Sequence, residues 1–156
     1  MKYARLTKEQ FESLAQEFIN FLATQTITAE EWDKIKSGNP EIAGQELDIF
    51  SDLVWEGVLN NVKYLENSSA QQLFIFQIGE TRMKLIVVKT ENASINITTA
   101  EGFQWLQQNL GSDEVSVHTA SKPFSKERNL EIFEMIQQGA VITNGELFDT
   151  FKKILD

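Results

Sequence analysis

Residues Pro40 to Asn61 read PEIAGQELDIFSDLVWEGVLNN, and no other segment joins helical length to so wide an apolar arc. Ile42, Ala43, Leu47, Ile49, Phe50, Leu53, Val54, Trp55, Val58 and Leu59 cover most of the helical wheel. Glu41, Gln45, Asp48, Asp52 and Glu56 advance by steps of four and three, which confines the polar residues to one narrow stripe. Asn39 is a favourable cap, and Pro40 suits the first helical position, where a missing N–H costs nothing. A helix apolar over most of its circumference is expected to be buried, with other elements around it.

Toward the N-terminus, Phe11, Leu14, Phe18, Phe21 and Leu22 recur at helical spacing and predict one helix over about 8–24. A shorter helix over 29–37 carries Trp32 and Ile35, with Gly38 as its left-handed stop. Four times an apolar residue precedes a Thr-x-x-Glu/Gln pattern, at Thr7, Thr28, Thr98 and Thr143. Each is read as a capping box: the hydroxyl accepts the N–H three residues on, and the Glu or Gln side chain reaches back to the threonine N–H.

After Asn61 the apolar period changes from helical to alternating. Val62 to Glu66 is read as a first strand with Asn67-Ser68-Ser69 as its turn. QLFIFQI (Gln72 to Ile78) and MKLIVVK (Met83 to Lys89), joined by Gly79-Glu80-Thr81-Arg82, form the strongest hairpin signal in the chain. Both faces of its middle are apolar, so both are expected to be covered. A helix over 99–110, a one-face-wet edge strand over 114–120, and helices over 126–138 and 144–155 follow. The order ααα-βββ-α-β-αα predicts a single α+β domain over residues 1–156, built on a small, mostly antiparallel sheet.

Composition narrows the function classes. The net charge is −9, and it is uneven: residues 1–70 carry 12 acidic and 6 basic side chains, residues 71–156 carry 11 and 8. Such a field repels a phosphate backbone, so nucleic acid is not an expected partner. No stretch approaches the ~20 apolar residues of a membrane span, and no secretory signal opens the chain, so a cytoplasmic location without a membrane partner is expected. The absence of cysteine excludes disulfides and thiolate metal sites. Asn67, Asn92 and Asn96 stand in N-x-S/T sequons, which are idle in a cytoplasmic chain.

Two groups of residues are candidates for function. Asp48, Asp52 and Glu56 stand a helical turn apart and could meet a basic partner, although a wetted helix edge has the same pattern. His118, the one histidine, lies near Lys122, Lys126 and Arg128, a basic concentration flanking a helix start that could receive an anion. The plainer reading of these four is a surface histidine beside a solvated basic loop. No nucleophile elbow, HExxH or calcium loop is present, and neither metal nor cofactor is expected.

The phrases FSDLVWEGVLNNVKYLE (Phe50 to Glu66), GFQWLQQNL (Gly102 to Leu110) and GAVITNGELF (Gly139 to Phe148) resemble an uncharacterised family of small acidic proteins from Bacteroidetes bacteria. The resemblance implies a bacterial cytoplasmic setting and carries no chemistry. The leading expectation is therefore a non-enzymatic protein that binds another protein through its acidic surface. The alternatives are a small-molecule or anion binder, or an enzyme, with a pocket near His118 and the 122–128 loop, and an immunity or antitoxin-like protein. A homodimer is compatible with each.

Overall fold

The computed structural model describes residues 1–156. The fold is α+β, and its contacts divide the chain into a helical unit, residues 1–60, and a sheet-containing unit, residues 61–156.

The helical unit contains α1 (Lys8–Ser13), α2 (Ala15–Thr24), α3 (Ala29–Gly38) and α4 (Pro40–Asn60). Two of the expected capping boxes form. Thr7 Oγ1 accepts Gln10 N–H at 3.2 Å while Gln10 Oε1 accepts Thr7 N–H at 2.8 Å. Thr28 and Glu31 exchange the same pair of bonds at 3.2 and 3.3 Å. The helix expected over 8–24 breaks at Leu14, whose φ of −110° and ψ of 25° leave the helical region. Gly38 is not a left-handed stop; α3 ends on Asn39, whose N–H bonds Ile35 O at 2.8 Å.

The break at Leu14 lets aromatic rings from both pieces converge on α4. Phe11, Phe18 and Phe21 place their ring centroids 5.9, 5.0 and 5.4 Å from that of Phe50, and Trp32 of α3 meets Phe18 edge-on at 5.2 Å. Buried aromatic pairs at such separations add to the area that they remove from water. The rest of α4 departs from expectation. Ala43, Phe50, Ser51 and Leu59 are buried, but Ile42, Ile49 and Leu53 are 41, 49 and 57% exposed. An apolar wheel therefore does not mean a helix enclosed on every side: one of its apolar edges faces outward.

The second unit contains β1 (Tyr64–Ser69), β2 (Gln72–Ile78), β3 (Arg82–Thr90), α5 (Ala100–Gln108), β4 (Val115–Pro123), α6 (Arg128–Gln137), β5 (Val141–Ile142) and α7 (Glu146–Leu155). The strands form one sheet in the order β4-β3-β2-β1-β5, with every neighbouring pair antiparallel. The hairpin closes as read, with Gly79 N–H on Arg82 O at 2.9 Å. Asn67-Ser68-Ser69 is not a turn: these residues pair with Phe74, Leu73 and Gln72. β5 has no counterpart in the sequence reading.

One sheet face carries Leu73, Ile75, Ile86, Val88 and Val115, packed with Ile97, Leu106 of α5 and Phe148 and Phe151 of α7. α6 lies on the opposite face. Arg128 at its start donates from Nε to Gly79 O at 2.9 Å and from Nη2 to Val62 O at 2.7 Å, tying the helix to the hairpin turn and to the residues leading into β1. β4 is an edge strand, as expected; only Val115 of it is buried and only Val117 half-buried.

The other two capping boxes do not form. The cap of α5 is Thr99, whose Oγ1 accepts Gly102 N–H at 3.0 Å, while Thr98 Oγ1 donates to Asn96 Oδ1. α7 starts after Gly145, a left-handed residue at φ 87° where an added Cβ would fall 2.5 Å from the Tyr64 ring. No helix is long and apolar enough to cross a membrane.

Candidate binding cleft at Glu66

The acidic stripe of α4 is engaged within its own unit. Asp52 accepts the N–H of Lys2 at 2.7 Å on Oδ2 and the N–H of Tyr3 at 2.9 Å on Oδ1. Arg5 Nε meets Asp48 Oδ1 at 2.6 Å, and this bond holds the Asp48 carboxyl below the usual carboxylate range. Tyr3 donates its hydroxyl to Glu56, and Lys2 Nζ stands 3.5 Å from the same carboxylate. Leu6 N–H continues the line onto Ser51 Oγ at 3.0 Å. The first six residues thus lie along α4, and its three carboxylates form the track that receives them.

The basic residues of the second candidate group each have separate engagements. His118 is exposed on β4 opposite Val87. Lys122 Nζ bonds Glu131 Oε1 at 3.1 Å, Lys126 Nζ bonds Glu134 Oε2 at 2.7 Å, and Arg128 holds backbone carbonyls as described. Glu131 itself is buried and also accepts Ser125 N–H at 2.8 Å. Burial pushes its carboxyl up, but the bonds from Lys122 and Ser125 outweigh that, and it titrates below the usual range. Lys122 lines a small cleft of about 280 Å³ with Glu131 and Glu134; His118, Lys126 and Arg128 are not among its walls.

A larger concavity in this unit lies elsewhere. Antiparallel pairing places Tyr64, Glu66 and Ser68 of β1 on the same face as Leu73 and Ile75, the face that α5 and α7 cover. Glu66 is therefore a carboxylate among core side chains. It pairs across the sheet with Ile75 on one side and Val141 on the other. A cleft of about 580 Å³ opens there, walled by Leu73, Ile97, Phe103, Val141 and Leu147 and by the hydroxyl residues Ser68, Thr98 and Thr99. A second cleft of about 290 Å³ shares Glu66, Phe103 and Leu147 and adds Gln107, Thr143 and Glu146.

Thr143 stands beside the carboxylate: its N–H bonds Tyr64 O at 3.1 Å, its Oγ1 accepts Gly145 N–H at 3.3 Å, and its side chain favours the ionised form of Glu66. Burial nevertheless dominates, and the Glu66 carboxyl is raised above its ordinary range. No lysine, arginine or histidine lines either cleft, so the two charged side chains present, Glu66 and Glu146, are both acidic. No group of three or more histidine, aspartate or glutamate side chains is placed to hold a metal ion.

Sequence reasoning missed this site. Its signal was the alternation Tyr64-Glu66-Ser68, which sets one acid on a core-facing row, but β5 and Thr143 complete the site from a part of the chain where no strand was expected.

An antiparallel five-stranded sheet with helices on both faces and a carboxylate on the cleft-bearing face defines the second unit as α+β. The whole chain, residues 1–156, matches the model of a family of unknown function, DUF6495, and belongs to that family. No curated protein and no solved structure matches it.

Proposed function

We propose that this chain is a binding protein whose second unit takes a small ligand with an apolar body and a primary amine into the cleft at Glu66. The observation that supports this reading is a partly desolvated carboxylate beside Thr143, on a concave surface lined by apolar and hydroxyl side chains with no basic side chain among them. Clefts of several hundred Å³ with apolar walls and few polar groups are the usual form of small-molecule sites. A perturbed carboxyl in such a cleft is a functional candidate on physical grounds. An ammonium group favours ionised Glu66, so binding should release protons when pH lies near the raised carboxyl range, and affinity should rise with pH through that range.

The test uses n-hexylamine, n-hexanol and hexanoate as probes, with amide chemical shifts of the full chain as the readout. Hexylamine should shift signals of β1, α5 and α7 in a saturable way, hexanol should do so more weakly, and hexanoate not at all. Glu66→Gln should remove the preference for the amine. Equal response to all three probes, or an unchanged response in Glu66→Gln, overturns the reading.

A further inference from the structure

Backbone groups alternate in direction along a strand, so two bonds at the strand ends fix which way each residue of β3 and β4 points. Gly79 N–H on Arg82 O at 2.9 Å turns Arg82, and every second residue after it, toward β2. Phe124 N–H on Thr81 O at 3.3 Å makes the intervening residues of β3 bond β4, with Ser116, His118, Ala120 and Lys122 as their partners. Val117, Thr119 and Ser121 therefore aim both N–H and C=O out of the sheet, and no hydrogen bond within the chain meets these backbone groups.

This open stretch has marked ends. Val115 also points outward, but its N–H is taken by Ser112 O at 3.4 Å, and Pro123 has no N–H. Between those ends the usual safeguards of an edge are missing. The pairing with β3 runs from Val115 to Pro123 without a bulge, and no proline, lysine, arginine or acid occurs from Val115 to Ser121.

We propose that this edge pairs antiparallel with β4 of a second copy, about a two-fold axis at Thr119, joining the two sheets into one. In that register Val117 of each copy faces Ser121 of the other and Thr119 faces itself, so every outward N–H between them meets a carbonyl. Val115 then faces Pro123, and these are the two positions with no N–H to give. A slip of two residues either way sets Pro123 against Val117 or Val115 against Ser121, and leaves a carbonyl of Val117 or Ser121 without a donor. An extended segment of another protein would meet the same groups, but it has no need of matched ends. Self-pairing accounts for both.

Charge favours the same occupant. A net charge of −9 holds copies apart over most of their surface, whereas residues 115–126 contain no acid. Glu114, exposed just before β4, comes diagonal to Lys122 of the second copy, whose side chain is 59% exposed beside Glu131. Long side chains span that diagonal, and the two-fold repeats it at the other end of the pair.

Sedimentation of the full-length protein over a roughly hundredfold range of concentration should show a reversible monomer–dimer equilibrium. Thr119→Lys sets two ammonium groups on the axis and should weaken the dimer tenfold or more with unchanged circular dichroism. Thr119→Pro removes an N–H that the chain's own sheet does not use, and should act likewise. Ile142→Lys, on β5 at the opposite edge, should leave the dimer unchanged. Disulfides read the register, since the chain has no cysteine. Opposed Cα atoms of a bonded pair lie about 5.5 Å apart, within the roughly 4.4–6.8 Å that a disulfide spans. Thr119→Cys should thus join two copies on mild oxidation, and Val117→Cys, which faces Ser121 rather than itself, should not. The proposal is overturned by a dimer that persists in Thr119→Lys, by Ile142→Lys dissociating it as strongly, or by Val117→Cys joining as readily as Thr119→Cys. A monomer at every concentration overturns it too and leaves the edge to a strand of another protein.

Discussion

The backbone N–H of Tyr3 rests on Asp52 Oδ1 at 2.9 Å. With the N–H of Lys2 on Oδ2, this single carboxylate fixes the start of the chain to the middle of α4. Bonds to an ionised acceptor are worth about 1.5–3 kcal/mol, discounted here for partial exposure. Asp52→Ala should therefore lower the unfolding free energy by about 2 kcal/mol in urea titration. Leu53→Asp, one residue on, should cost no more than about 1 kcal/mol, since its side chain is 57% exposed. The sequence alone predicts the opposite ranking, and equal or reversed midpoints would return α4 to the buried position that its apolar wheel suggests.

Tyr3 should be an alkaline reporter of the same contact. Burial first, and then its bond to Glu56, pushes its phenol up to about 12. A raised folded value contributes stability that is full below the ordinary phenol range near 10 and is lost as pH climbs through about 12. In a Tyr64→Phe background, phenolate absorbance should rise well above pH 10 and fall back toward the ordinary range when Glu56→Ala is added. A normal titration in the presence of Glu56 would mean that the first residues do not stay on α4.

Glu131 should make the second unit acid-sensitive. Its folded carboxyl is held below the usual range, so its contribution is present above the unfolded value near 4 and is lost as pH falls through the folded one. Glu131→Gln should cost about 2 kcal/mol at pH 7, where a charged acceptor for Lys122 and Ser125 is removed. The gap from wild type should narrow at pH 3, and a gap independent of pH would assign the loss to packing.

Thr7→Ala, Thr28→Ala and Thr99→Ala should each cost about 1 kcal/mol in thermal unfolding, as real N-caps do. Thr98→Ala should cost less, since Thr98 caps no helix. A larger loss at Thr98 than at Thr99 would restore the capping box read from the sequence.

The capping boxes show how far local pattern carries. At Thr7 and Thr28 both members of the box lie within one turn of the helix that they start, so composition and geometry coincide. At Thr98-Thr99 two adjacent hydroxyls compete, and the Asn96 turn takes the first. β2 was legible to the residue because seven β-branched, aromatic and flanking positions speak together; β5, two residues long, offers no period to read. The acidic stripe was legible as a row of charge, but not its use, because Lys2, Tyr3 and Arg5 meet it from more than forty residues away. Distance in sequence also hid the approach of Thr143 to Glu66. Each charged candidate in the 122–128 loop looked available because its carboxylate or carbonyl partner lies on another turn or element.

The position of β5 sets an order on the birth of the molecule. β1 is the first strand of the sheet to leave the ribosome, yet its outer edge is closed by Val141 and Ile142, which pair with Glu66 and Leu65. Until those residues emerge, β1 presents a row of unmet N–H and C=O groups to any extended peptide nearby, while the helical unit, already complete at Asn60, has all of its own contacts to hand. A chain arrested before residue 141 would thus carry folded helices ahead of a sheet open at β1 as well as at β4, and the emergence of Val141 and Ile142 is what covers the first of these edges.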